Sequence, residues 1–225
     1  MKIHRQWLFA LLCLSLCCVL VSAQSTEKPP GSDSLKQPAK EDDSPYRQLV
    51  ERAKSGDPTV DFVQLRDSYA AWRCNENVQT NAPNREAMVA AFEKKDYAKA
   101  VELVEVVLDY EFVQRGLHLA AEDAYRKLDN LPKADFHKSI ADKLLKALLS
   151  AGDGKTTATA FRVLSVREEY VIMKELGYEV SMQGLLSGNG KPYDLLSGKE
   201  TKTNKEVSVY FDISAFFGGC KKVKK

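Results

Sequence analysis

The spacing of the apolar residues changes near Gly152, and that change limits what the chain can fold into. Before it, Tyr46, Leu49, Val50 and Ala53 fall at i, i+3, i+4 and i+7, one face of a helix. Phe62, Leu65, Tyr69 and Trp72 make a second stripe, and Tyr97, Ala100, Val101, Val104 and Leu108 another. After it, Val207, Val209, Phe211 and Ile213 alternate with polar residues, the pattern of a strand with one packed face. Helices first and strands second give an α+β architecture. The expected bodies are a helical half at 46–151 and a small β-rich half at 152–217 packed on it, with a basic tail at 218–225.

Local signals place the elements. Ser44-Pro45 is a helix start, because serine caps free amides and proline suits the first turn. Gly56 stops that helix, and a second runs from near Thr59. Pro83 opens a third and Asp96 caps a fourth, while a fifth covers about 112–129 and a sixth about 133–150. Ala100 and Ala134 lie 34 residues apart, each after a lysine, which is the tetratricopeptide period. Glu122 and Lys138 depart from that consensus, so the expectation is antiparallel helical hairpins of tetratricopeptide-like character. In the second half, strands are expected at 161–166, 178–186, 193–196 and 206–213, with a short helix or turn at 168–176. They make a small, mostly antiparallel sheet.

The N-terminus reads as a secretory leader. A basic start, MKIHRQ, precedes 15 uncharged and mostly apolar residues from Trp7 to Val21. Val21 and Ala23 then present small residues for cleavage between Ala23 and Gln24, leaving residues 1–23 as signal peptide. A retained anchor is one alternative, although a span needs about 20 residues. Lipid attachment at Cys17 is another. Residues 24–45 hold four of the eight prolines and one leucine, the composition of a disordered linker. The expected product is exported, periplasmic or secreted, with no stable membrane insertion after cleavage.

Charge and cysteine usage agree with export. Taking Lys2 and Arg5 away with the leader leaves 31 of the 33 basic residues against 31 acidic ones. A neutral body has no field to steer it to nucleic acid. Cys74 and Cys220 are the cysteines left after the leader, and an oxidising compartment lets them pair as a disulfide; two unpaired thiols are the alternative.

Residues 150–161, SAGDGKTTATAF, raise the question of a nucleotide site, because Gly154-Lys155-Thr156 resembles the end of a phosphate loop. The first glycine of that motif would fall at Leu149. A helix also leads in and a strand leads out, the reverse of the required order. The stretch therefore reads as a turn, and neither a nucleotide nor any other cofactor is expected.

Few other residues carry chemistry. His118 and Glu122 are spaced i, i+4 and His137 lies on the next helix, but helical His–Glu pairs are ordinary neighbours, and no metal site is assigned. Glu168, Glu169, Asp194 and Asp212 are candidate catalytic carboxylates. They could act as acid and base only where two share a cleft with their pKa values driven apart. Lys155, Tyr170, Tyr193 and Tyr210 are candidate ligand-binding residues on an open sheet face.

In combination, "SGD" with "DFVQLR", then "GDGK", "TAF" and "EEY", then "PYD" and "YFD", resemble the exported family known as domain of unknown function 4919, over about residues 46–217. The resemblance implies a helical half joined to a small β half and supplies no activity. The function expected is that of a non-enzymatic binding protein for a protein or peptide partner. An envelope hydrolase using the carboxylates of the β-rich half is the alternative. An apolar or aromatic groove on the helical half would favour the first.

Overall fold

A computed structural model describes residues 43–74 and 82–218, which belong to one compact unit, Ala39–Lys225. Six helices come first: α1 (Pro45–Lys54), α2 (Phe62–Trp72), α3 (Ala82–Glu93), α4 (Tyr97–Tyr110), α5 (Arg115–Lys127) and α6 (Leu131–Leu149). A short 3-10 turn, Thr157–Thr159, leads to β1 (Phe161–Arg162) and α7 (Val166–Glu175). Then follow β2 (Tyr178–Gly188), β3 (Lys191–Glu200) and β4 (Glu206–Asp212). The expected α+β order is the order found. The leader, the linker up to residue 42 and Cys220 lie outside the described residues. No helix among the described residues is long and apolar enough to cross a membrane.

The helices start where side chains satisfy their first amides. Ser44 accepts from the Arg47 amide, Asp61 from Val63 and Gln64, Asp96 from Lys99, and Asn130 from Lys133. The pairs α1–α2, α3–α4, α4–α5 and α5–α6 then pack against one another, and α2 also meets α6. Tyr46, Tyr69 and Trp72 stack at the centre of the first core, with ring centroids 4.6 to 6.1 Å apart. The Tyr46 hydroxyl accepts from the Phe112 amide at 3.1 Å, tying α1 to the turn after α4. Ala100 and Ala134 are both fully buried, which is what close helix contact requires of small residues.

The sheet has the order β1-β4-β3-β2. The pairs β2–β3 and β3–β4 are antiparallel, whereas β1 runs parallel to β4, so the sheet is mixed. One face packs on α7 and the end of α6 through Leu196, Val209, Phe211, Ile172, Met173 and Leu148. The GDGK stretch is the splice between the halves. The amides of Asp153 and Gly154 both donate to the Thr159 carbonyl at 2.9 Å, and the Gly154 carbonyl accepts from Tyr210 at 2.8 Å. These amides turn inward, where a phosphate loop would present them outward. Gly152 and Gly154 are needed for space. A Cβ at Gly152 would sit 2.6 Å from the Thr159 carbonyl, and one at Gly154 2.5 Å from Val209, with φ at +68°.

A buried ion pair joins the halves, alongside an exposed one between Arg162 and Asp67 at 3.3 Å. Arg66 on α2, 5% exposed, donates to both Glu168 oxygens, at 2.8 and 3.0 Å, and to the Arg162 carbonyl at 3.1 Å. Glu168 also accepts from the Leu164 amide at 2.7 Å. Every lone pair that matters is used, which is the condition under which a buried pair repays its desolvation. Arg66→Met leaves Glu168 unpaired. It is expected to destabilise the fold by about 3–5 kcal/mol in urea unfolding, and a loss under about 1 kcal/mol would show that the pair does not hold the halves together.

Candidate functional site

The four carboxylates singled out in the sequence go to three different places. Glu168 is taken by Arg66. Asp212 accepts from Lys191 at 3.0 Å and from the Ser214 amide at 3.0 Å. Burial works against the Asp212 carboxylate, but these bonds prevail and hold it below its ordinary range. Glu169 and Asp194, 0% and 6% exposed, meet beneath α7. The Gln183 amide donates to both, at 3.3 Å to Glu169 and 2.7 Å to Asp194, and the Tyr170 hydroxyl donates to Gln183 at 3.2 Å. Burial first, and the Asp194 charge second, push Glu169 up to about 8. Glu169 therefore keeps its proton at neutral pH, and its Oε1 is buried with no hydrogen-bond partner among the described residues.

The remaining residues do not share one surface. Lys155 is solvated and reaches back to Asp153 at 3.4 Å. Tyr193 and Asp212 line an open cleft of about 680 Å³ with the 150–160 segment, Arg162, Asn189 and Lys191. Tyr210 lies on β4, where its amide meets Gly154. Cys74, just past α2, is disulfide-bonded. Ala23, Gln24 and Cys220 lie outside the described residues.

A second cluster forms in the helical half. His118 on α5 and His137 on α6 are 0% and 1% exposed, with their Nδ1 atoms 3.0 Å apart. His118 Nε2 donates to the Phe112 carbonyl at 2.8 Å, so the neutral ring offers its Nδ1 as an acceptor. His137 Nδ1 must then donate to it. On its other side, His137 Nε2 lies 3.2 Å from Glu105, which also accepts from Tyr125 at 2.9 Å. Burial drives His118 down to about 3 and keeps it neutral. Burial opposes the Glu105 charge, but the bonds from His137 and Tyr125 outweigh it and hold Glu105 at about 2. Glu122 takes no part and pairs with Arg126 at 3.2 Å. No group of metal-binding side chains forms among the described residues.

This chain backs a groove of about 490 Å³ between α1, α4 and α6. Leu108, Phe112, Pro132 and Phe136 give it an apolar wall, and Lys54, Lys133, Glu105 and His137 complete the lining. Lys54 is engaged by Asp109 at 2.8 Å, while Lys133 is more than half exposed and 4.0 Å from Glu105. Glu105, Lys133 and Phe136 were not singled out in the sequence. The one signal for them is an acid, Glu105, inside the apolar run Leu103–Leu108.

The Glu169–Asp194 pair makes stability depend on pH. The fold favours protonated Glu169, so this contribution is complete below about 4.5 and is lost as pH rises through about 8. Glu169→Gln keeps the shape without the charge. The melting temperature of the native protein is expected to fall between pH 5.5 and 8.5 by several degrees more than that of Glu169→Gln, at about 2–4 °C per kcal/mol. Parallel profiles for the two proteins would refute a protonated Glu169.

The chain matches no curated protein and no solved structure in comparisons of its sequence and fold. The model of the family described as "Domain of unknown function (DUF4919)" matches residues 33–221, most of the chain, and the protein belongs to that family.

Proposed function

We propose that this is an exported, non-enzymatic binding protein. Its tetratricopeptide-like helical half takes a peptide segment of a partner protein in the α1–α4–α6 groove. The observation that carries this reading is the apolar and aromatic wall of Leu108, Phe112, Pro132 and Phe136 beside an accessible lysine. The occupant that fits is a short stretch with an apolar side chain followed by an Asp or Glu. The apolar side chain covers Phe136, and the carboxylate meets Lys133 and, beyond it, Lys54. Lys54 is held by Asp109 and Glu51, so the more exposed Lys133 is the lysine open to an incoming carboxylate.

Export is supported by the leader and by the disulfide on Cys74, since such bonds persist in oxidising compartments. Cys220 is the partner we assign to it, being the other cysteine that remains after cleavage. The hydrolase reading has one point in its favour, the Glu169–Asp194 contact with its raised acid. A substrate would have to reach carboxyl groups that are 0% and 6% exposed, so binding is the better account.

The test begins with protein recovered from the exported fraction, which is expected to start at Gln24. It is then used to select from a random peptide library displayed on phage. Enriched sequences should pair an apolar residue with an acidic one, and their affinity should fall at least tenfold with Phe136→Ala and with Lys133→Glu. A chain that still starts at Met1 would end the export reading. No enrichment, or binding unchanged in both variants, would end the groove reading.

A further inference from the structure

We propose that a second, separate site on this protein binds a small phosphate-class oxyanion at the seam between the helical and β-rich halves. A partly enclosed cavity of about 70 Å³ lies between the start of α5, the C-terminal half of α6 and the start of α7. That is several times the roughly 10–15 Å³ that one water needs. Arg66, Arg115 and Arg167 all line it, against a single acid, Glu168. Both oxygens of Glu168 are already committed to Arg66 and the Leu164 amide, so it adds little screening for the other two arginines.

Arg115 and Arg167 make no ion pair or side-chain hydrogen bond among the described residues. The Arg115 Nε is buried and has no hydrogen-bond partner. A guanidinium cannot shed its charge, so a buried, unpaired N–H is costly unless an acceptor arrives. Arg167 leans over the first turn of α5, with its Nη1 4.0 Å from where a Cβ would stand on Gly116.

The two helix starts add to the same field. Gln114 and Ser165 are the N-cap residues of α5 and α7, and neither side chain caps its helix. The first amides of both helices therefore lack a side-chain acceptor at the edge of the cavity, with the positive ends of the helix dipoles beside them. Two unpaired guanidinium groups with two uncapped amide clusters suit a compact anion with several acceptor oxygens, because Arg meets such oxygens in pairs. A single carboxylate has two such oxygens, whereas phosphate has enough for both arginines. The floor of Val113, Leu144, Leu148 and Val171 is apolar, which strengthens the charge interaction by excluding water.

The test is calorimetric titration of the native protein with sodium phosphate, with sodium chloride at equal ionic strength as control. Saturable binding to phosphate and none to chloride is expected, with the dissociation constant raised at least tenfold in Arg115→Gln and in Arg167→Gln. The same ligand should raise the melting temperature of the native protein in step with its affinity. Arg167 is exposed, so its variant should fold unchanged, and the helical circular dichroism of both variants checks this. Glycerol 3-phosphate binding as tightly as inorganic phosphate would assign the site to phosphate esters, and its exclusion would assign the site to the free ion. A response to neither, or one that chloride matches or both variants retain, overturns the proposal. Because these residues lie outside the peptide groove, Phe136→Ala should bind phosphate normally, which separates this result from the fate of the groove.

Discussion

The ion pair between Arg66 and Glu168 sets the position of most of what is of interest in this protein. It is nearly sealed from water, it is bidentate, and its members come from opposite halves of the chain. It also fixes how α7 is rotated. Successive residues on a helix point about 100° apart, so anchoring Glu168 on α2 sends its neighbours elsewhere. Glu169 is turned beneath the helix onto Asp194, and Arg167 toward the first turn of α5. Three consecutive residues thus serve three purposes: a brace, a buried acid and one wall of a basic cavity.

Much of the helical half was legible because its signals are local. The stripe Tyr46, Leu49, Val50, Ala53 is buried as spaced, and Ser44 and Asp96 cap their helices. On β4, Val209, Phe211 and Ile213 are buried and the residues between them are not. The rest depended on distant partners. Phe161 to Val166 reads as one strand, yet β1 is two residues long. The Leu164 amide goes to Glu168 and its carbonyl to Arg73 at 3.3 Å, so side chains take the groups a longer strand would offer its neighbour. β3 runs well past both its expected ends, because glycine and serine interrupt the apolar alternation without breaking the backbone pairing, while β2 starts where expected and ends two residues later. The parallel pairing of β1 with β4 has no local signature at all.

The candidate sites follow the same rule. Glu168 and Glu169 are adjacent and chemically identical, and the difference between an anchored anion and a buried acid comes wholly from which way α7 faces. The histidines lie 19 residues apart in the chain, and their third member, Glu105, is on another helix. The GDGK stretch shows the opposite case, a motif that is conspicuous in the sequence and owes its glycines to packing. Gly152 and Gly154 let the splice press against Thr159 and Val209, and this brings the first strand alongside the last.

If the Arg66–Glu168 brace joins the halves, they should unfold together. Trp72 reports the helical core, and the chain's other tryptophan, Trp7, falls in the stretch expected to be removed as a leader. The amides of Val209 and Phe211 report the sheet. Urea unfolding followed by Trp72 fluorescence and by the nuclear magnetic resonance signals of those amides is predicted to give a single shared midpoint. Two separated midpoints would mean that the halves are independent and that the ion pair is a contact between domains that fold without it.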